Sequence, residues 1–441
     1  MTAQACALLE AGMSETDFSD EALHELASVA SERSRDALNR ILAAGRERLH
    51  MEACALSQVS DDREVICAAN GDVRSFGIEV GTEWPAAETY GRLVLEGLIT
   101  SPIPDASIDL RVTGLQLTRK GGVVGYIGAP VTFSSGRVFG VLQCLSHHTA
   151  PWLGDRDVKF LQVLARLAAD EVEREEIATQ KERLEADRIR AVLTEGALSI
   201  VFQPIMDLQN GTVVGMEALA RFGTEPERSP AIWFAEAGLV GLRTELELLA
   251  VGAALAQLES LPRAAYLSVN VSPETVLSPR FNAMLQEHLG GRVVIEIAES
   301  SLEQESGAAL KEALSELRRR GARVAVDDTR AGFRSLARLH RLLPDIIKLD
   351  VSLTRDIDKD PVRRSLVASI LAFAEEIGAT VSAEGIETYA EGEAMRAMGV
   401  ACGQGWFLAE PAPIAEVTKT MDFAEHLSWV EDESQGPVWG R

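Results

Sequence analysis

The sequence predicts two folds in series: an α+β domain on an antiparallel sheet, then an α/β domain closing as a modified (β/α)8 TIM-like barrel whose first strand is antiparallel. Three observations predict this. Short strand patterns with a hairpin signal fill the N-terminal part and have little helix between them. A long, charged helical pattern follows. After Gly196, eight short apolar strand patterns, most of them separated by helical ones, occupy about 220 residues, the arithmetic of a closed barrel. An open doubly wound sheet is the structural alternative.

Residues 19–50 read as a helix capped by Ser19, with Leu26, Val29, Leu38, Ile41 and Leu42 as its apolar stripe. The period then changes. CALSQV, EVICAAN, residues 123–130 and VFGVLQCL read as strands, with TFSSGRVFG as a hairpin signal. Residues 89–97 and 110–114 read as short helices or loops. The first domain is bounded at 19–152. Trp84, Tyr90, Leu110, Tyr126 and residues 103–105 either line a pocket or fill a core. Cys67 and Cys144 are either reactive thiols or buried structural ones.

Residues 153–195 form one helix. Phe160, Leu164, Leu167, Ile177, Leu184 and Val192 lie near one seam, and the middle, EVEREEIATQKERLEADR, is highly charged. A parallel coiled coil between two protomers explains the pattern, with a solvated spacer helix as the other reading.

In the barrel, domain 196–430, the strands are SIVFQPI, VVGMEALA, YLSVNV, VVIEI, RVAVD, IIKLD, TVSAE and a short segment before Gln404. Only MDLQNGT joins the first two, too short for a crossover helix, so that pair is antiparallel. Helical patterns cover 232–261, 275–289, 302–320, 333–342, 363–377 and 390–398. Polar residues stand at the strand ends: Glu217, Asn270, Glu296, Asp327, Asp328, Lys348, Asp350, Glu384 and Gln404. In a barrel these ends share one mouth. Converging carboxylates repel one another and call for cations. All the candidate donors are oxygens and no histidine lies among them, which favours Mg²⁺ or Mn²⁺ over Zn²⁺. Lys348 cannot coordinate a metal. It either holds the attacking water and offsets charge at phosphorus, or forms a plain salt bridge with Asp350.

The 441 residues carry 67 acidic and 43 basic side chains, a formal net charge of -24, which disfavours a nucleic acid polymer as partner. Five cysteines without a CxxC pair suit reduced thiols in a cytoplasmic setting, and no run of eighteen apolar residues suggests a membrane span.

The barrel segment resembles EAL-type cyclic di-GMP phosphodiesterases. It contains FQPI at 202–205, Glu217-Ala218-Leu219, NVSP at 270–273, EIAES at 296–300, Asp327-Asp328, IKLD at 347–350, AEGIET at 383–388 and GQGWFLAEP at 403–411. The resemblance implies hydrolysis of cyclic di-GMP to linear pGpG with two Mg²⁺ or Mn²⁺ per protomer, in a homodimer. It implies that Glu217, Asn270, Glu296 and Asp327 hold one metal, and Asp327, Asp328 and Glu384 the other. Lys348 orients the water, with Glu384 and Glu387 also in the catalytic set. Gln203, Leu219, Arg221 and Pro411 line the dinucleotide site. Gln404 binds a metal-linked water, Glu299 steadies the loop after Asp328, and Asp350 joins the supporting set. Where the family reads DDFG, a small residue, G, an aromatic and SSL, this chain reads DDTRAGFRSL, and LAEP replaces FGRP or FGKP. A weak or non-hydrolysing cyclic di-GMP receptor is therefore the alternative, and a protein–protein regulatory module the third reading. The first domain resembles a GAF sensory module, which implies an unidentified small ligand.

Overall fold

The computed structural model describes residues 32–223, 228–286, 288, 291–303, 307–330 and 332–421. The expected cap Ser19, with Leu26 and Val29, lies outside them, as does the acidic end of the chain. Contacts divide the chain into one unit ending at Lys181 and another beginning at Glu182.

In the first unit, helix Glu32–Leu49 leads into β1 (Ala53–Val59), β2 (Arg63–Gly71), β3 (Glu83–Pro85), β4 (Gly125–Thr132) and β5 (Val138–Ser146). These form one antiparallel sheet in the order β3-β2-β1-β5-β4. Because strand side chains alternate, the sheet buries two apolar faces. Cys54, Leu56, Leu142 and Cys144 pack under Leu38 and Leu42 of the first helix. Ala53, Ala55 and Leu145 face a second cluster containing Phe76, Trp84, Tyr90 and Tyr126. Tyr90 and Tyr126 stack with centroids 4.2 Å apart. Leu110 is 91% exposed, which corrects its placement on a pocket wall. Burial pushes the Cys67 thiol up to about 12, the condition of an unreactive thiol.

Helix Asp155–Glu195 is continuous, but its expected single seam is not. Leu161, Leu164, Ala165 and Ala168 are buried in the first unit, and Ile189 and Val192 in the second. Leu167, Ile177 and Leu184 are exposed. A straight α-helix drifts about 20° per heptad, so positions far apart along it turn to different sides.

The second unit is a closed barrel of β6 (Leu198–Asp207), β7 (Val213–Phe222), β8 (Tyr266–Asn270), β9 (Val293–Ala298), β10 (Arg323–Thr329), β11 (Ile346–Leu349), β12 (Thr380–Ala383) and β13 (Cys402–Gly403). β6 runs antiparallel to both neighbours, and the remaining pairs are parallel. Two predicted helices are split. In place of 232–261 stand Pro230–Leu239 and Arg243–Leu255, broken where Gly241 takes φ 69°. In place of 275–289 stand Pro273–Leu277 and Pro279–Gln286. Ser278 is extended there because the following proline disfavours helical backbone.

Alternation again separates two layers. Leu267, Val269, Val293, Ile295, Val324, Val326, Ile347 and Leu349 face the surrounding helices in the main core. Tyr266, Val294, Ala325 and Ile346 form a separate cluster inside the barrel. Two residues further along those four strands, at one level above this apolar plug, stand Ser268, Glu296, Asp327 and Lys348. No described helix is long and apolar enough to cross a membrane.

Candidate active site

Lys348 is 1% exposed and inward on β11, directly across from Ser382 on β12. Its Nζ lies 2.6 Å from Glu384, 2.8 Å from Glu296, 3.0 Å from Glu217 and 3.4 Å from Asp327. Four carboxylates from four different strands or strand ends thus surround one ammonium. Asn270 Nδ2 donates to Glu217 at 2.8 Å. Gln404 Nε2 donates to Glu217 at 2.6 Å and to Glu384 at 3.2 Å. The cage is therefore cross-linked from β7 round to the segment after β13.

Asp327 and Asp328 share the mouth because the backbone bends between them. The β10–β11 register breaks between Val326 and Thr329, and Asp328 takes φ 55°. Aspartate tolerates this left-handed region better than most residues. Ligand oxygens of Asp327, Asp328 and Glu384 fall within 4.8 Å of one another. Asp327 Oδ1 is buried and accepts no hydrogen bond in the described structure; the Lys348 ammonium lies 3.4 Å from it. A set of hard oxygen donors with a carboxylate oxygen short of hydrogen bonds fits a divalent cation of the Mg²⁺ or Mn²⁺ kind.

The electrostatics show how crowded the cage is. Burial, then Glu217, pushes the Glu296 carboxyl up to about 8, against the pull of Lys348. Burial also raises Glu384 well above the carboxylate range, although Lys348 opposes it. Burial, Asp327 and Asp350 raise Asp328. Burial works to raise Glu217 too, yet Lys348, Gln404 and Asn270 hold it below its usual value. For Lys348 burial favours the neutral amine, and the surrounding acids overcome it, so the group stays an ammonium.

The other predicted residues are spread around the mouth. Gln203 stands opposite Glu217 in the β6–β7 register and donates to the Ala409 carbonyl at 3.1 Å. A bridge between Phe202 and Ala412 brings Pro411 close to it in the chain. Leu219 and the exposed Arg221 follow on β7. Asp350 is not bonded to Lys348. It caps helix Val351–Thr354 through Ser352 N at 2.9 Å and lies 3.7 Å from Arg330 Nε. Glu299 accepts from Arg338 at 2.7 Å, Ser335 at 2.8 Å and the Arg330 backbone at 3.2 Å. Glu387 is exposed and pairs with Arg355, not with the cage. One contributor was missed from the sequence: Ser268, whose hydroxyl donates to Glu296. The available signal was its position two residues before Asn270, on the same strand face.

A barrel with one reversed strand and a mouth of hard-cation donors around a lysine, preceded by an antiparallel-sheet domain, defines a narrow class of two-domain proteins. Residues 186–411 match the EAL domain and residues 34–172 the GAF domain. The chain belongs to the EAL domain family and carries a GAF domain ahead of the barrel. It is 29% identical over 252 residues to an uncharacterized protein of Sinorhizobium fredii, a match covering 55% of this chain and 30% of that protein. It is 32% identical over 238 residues to a Pseudomonas aeruginosa protein named cyclic di-GMP phosphodiesterase, covering 50% of this chain and 40% of that one. The match thus spans less than half the length of either relative. In fold the chain is similar to an EAL enzyme solved with cAMP and cyclic di-GMP bound, with TM-score 0.53, 19% identity, and coverage of 84% of this chain and 93% of that one.

Proposed function

We propose that this chain is a sensor-regulated phosphodiesterase that hydrolyses cyclic di-GMP to linear pGpG with two Mg²⁺ or Mn²⁺ per protomer, acting as a cytoplasmic homodimer. The observation that carries the reading is the cage of Glu217, Glu296, Asp327 and Glu384 around Lys348. Glu217, Asn270, Glu296, Asp327, Asp328 and Glu384 would hold the cations, which when bound would supply charge neutralisation for the phosphodiester and its departing oxygen.

Gln203, Leu219, Arg221 and Pro411 bind the dinucleotide beside the cage. Lys348, kept as an ammonium, donates to the attacking water and orients its oxygen towards phosphorus. It cannot be the base that deprotonates this water. The new bond joins water oxygen to phosphorus, one P–O3′ bond breaks, and the balancing proton ends on the released 3′ hydroxyl. Glu217 and Glu384 fix the ammonium, Gln404 ties those two carboxylates together, and Glu299 steadies the loop after Asp328.

A second reading, a receptor that binds cyclic di-GMP without turnover, is favoured by the loop Thr329-Arg330-Ala331-Gly332. There Arg330 stands 3.7 Å from Asp350, beside the mouth. The test is full-length protein incubated with cyclic di-GMP and either Mg²⁺ or Mn²⁺, with products separated by chromatography. The enzyme reading expects pGpG, abolished by Glu217→Ala. Tight calorimetric binding with no product selects the receptor instead. No binding with either cation sinks both. The GAF domain supplies the control, and rate, affinity and oligomeric state unchanged on deleting residues 1–190 would refute that part.

A further inference from the structure

We infer that the barrel unit carries a second site, outside the acidic mouth, for a polyphosphorylated small molecule of about nucleotide size. A cavity of about 810 Å³ lies among helices Arg243–Leu255, Pro273–Leu277, Gly307–Arg319 and Phe333–Leu342. In a chain of net charge -24, the described lining includes Arg243, Lys311, Arg341 and Arg338, the last already paired with Glu299, and one described acid, Glu274. Gly307 and Ala308 line it too, so the first turn of a 13-residue helix opens into the same space. The positive end of that helix dipole adds to the attraction for anions.

Leu302, Leu310 and Leu342 also line the cavity, so it is not purely ionic. Cations for a phosphate chain beside an apolar wall for a flat base suit a nucleoside polyphosphate, and the volume is within the usual range for such ligands. Among the described residues, no carboxylate pairs with Lys311 or Arg341.

The site is wired to the loop beside the mouth. Arg338 lines the cavity and donates to Glu299 at 2.7 Å, while Glu299 also accepts from Ser335 and the Arg330 backbone. An anion that draws Arg338 into the cavity competes with Glu299 for it. Occupancy therefore loosens the anchor of the segment that follows Asp327 and Asp328.

The inference does not depend on phosphodiesterase activity, and its test avoids turnover. Full-length protein in chelator is titrated by calorimetry with GTP, ATP and inorganic triphosphate. Without added cations the acidic mouth repels these probes. Saturable binding below about 1 mM is expected. The double variant Lys311→Glu/Arg341→Glu should weaken it about 10-fold or more, while Glu217→Ala leaves it unchanged. Triphosphate alone binding as tightly as GTP would restrict the ligand to a phosphate chain and overturn the nucleotide assignment. No saturable heat, or an affinity indifferent to charge reversal, overturns the site. So does a variant that only changes sedimentation, which would make this face a contact between copies of the chain.

Discussion

Replacing Lys348 with methionine keeps most of the side-chain volume and removes the one cation inside the cage. Its Nζ lies 2.6 to 3.4 Å from four carboxylates, and the side chain is 2% exposed. Removing one partner from a buried ion pair costs about 3–5 kcal/mol. The cost falls towards the lower end near neutral pH, because Glu296, at about 8, and the raised Glu384 already favour their neutral forms there and leave fewer charges unpaired. With about 3 kcal/mol lost and 2–4 °C per kcal/mol for a domain of this size, the barrel transition in chelator should fall by about 6–12 °C. Saturating Mn²⁺ should reverse most of it. A ligand at a hundred times its dissociation constant stabilises the folded state by about 2.7 kcal/mol, and the variant cage has no ammonium competing for the same oxygens. The Mn²⁺-induced shift should therefore be larger in Lys348→Met than in the parent, while turnover stays absent. Differential scanning calorimetry on both proteins, with chelator and with Mn²⁺, reads these shifts. A variant as stable as the parent in chelator, or one that gains less from Mn²⁺, would refute the cage electrostatics on which the proposed chemistry rests.

Glu217→Ala removes a group bonded to Lys348, Asn270 and Gln404 at once; kcat/KM for cyclic di-GMP should drop about 100-fold or more, and a near-parental value would exclude its role. In chelator, Glu296 and Glu384 have folded-state pKa values above their unfolded ones, so their contribution is full below about pH 4 and is lost as pH rises through the folded values, about 8 for Glu296. Thermal stability should decline as pH rises from about 4.5 to 8, by at most about 5 kcal/mol from Glu296, roughly half of it above pH 6; the lowered Glu217 adds a constant contribution across this window, Mn²⁺ should flatten the profile, and a flat profile in chelator contradicts the shifts. At Gly405, φ is 156° and an added Cβ would come within 2.2 Å of the Ile386 carbonyl oxygen, so Gly405→Ala should cost about 1–3 kcal/mol and weaken Mn²⁺ binding by displacing Gln404; unchanged calorimetric affinity would separate the two effects. Thr388→Ala breaks the capping box with Glu391 and should lower stability by about 1 kcal/mol without changing KM, as denaturant titration with parallel kinetics can check.

The barrel was legible because its strands carry two messages at once. In VVIEI and IIKLD every second residue is a large aliphatic for the helix layer, and the residues between run from apolar to charged towards the mouth. A single residue, Glu296 or Lys348, thereby marks strand, facing and end together. The long helix was less legible, since a list of apolar positions does not say where along the chain one packing partner gives way to another. Leu164 and Val192 are both buried, but in different units, while Ile177, between them in the chain, stays exposed. The two helix breaks had local causes visible in the sequence, Gly241 and Pro279, which a continuous apolar pattern masked. Ser268 was marked only by its place two residues before Asn270, while the Arg355–Glu387 pair depends on side-chain reach across separate elements, which no spacing rule encodes.

The reversed first strand changes where the barrel is entered. Leu198 pairs with Phe222 and Ser199 with Arg221, so the chain arriving from helix Asp155–Glu195 joins at the rim, next to the mouth. In an all-parallel barrel the same junction would sit at the opposite floor, roughly 30 Å away along a ten-residue strand. A small rotation or tug at that junction is therefore felt first by the rim, without having to cross the closely packed interior.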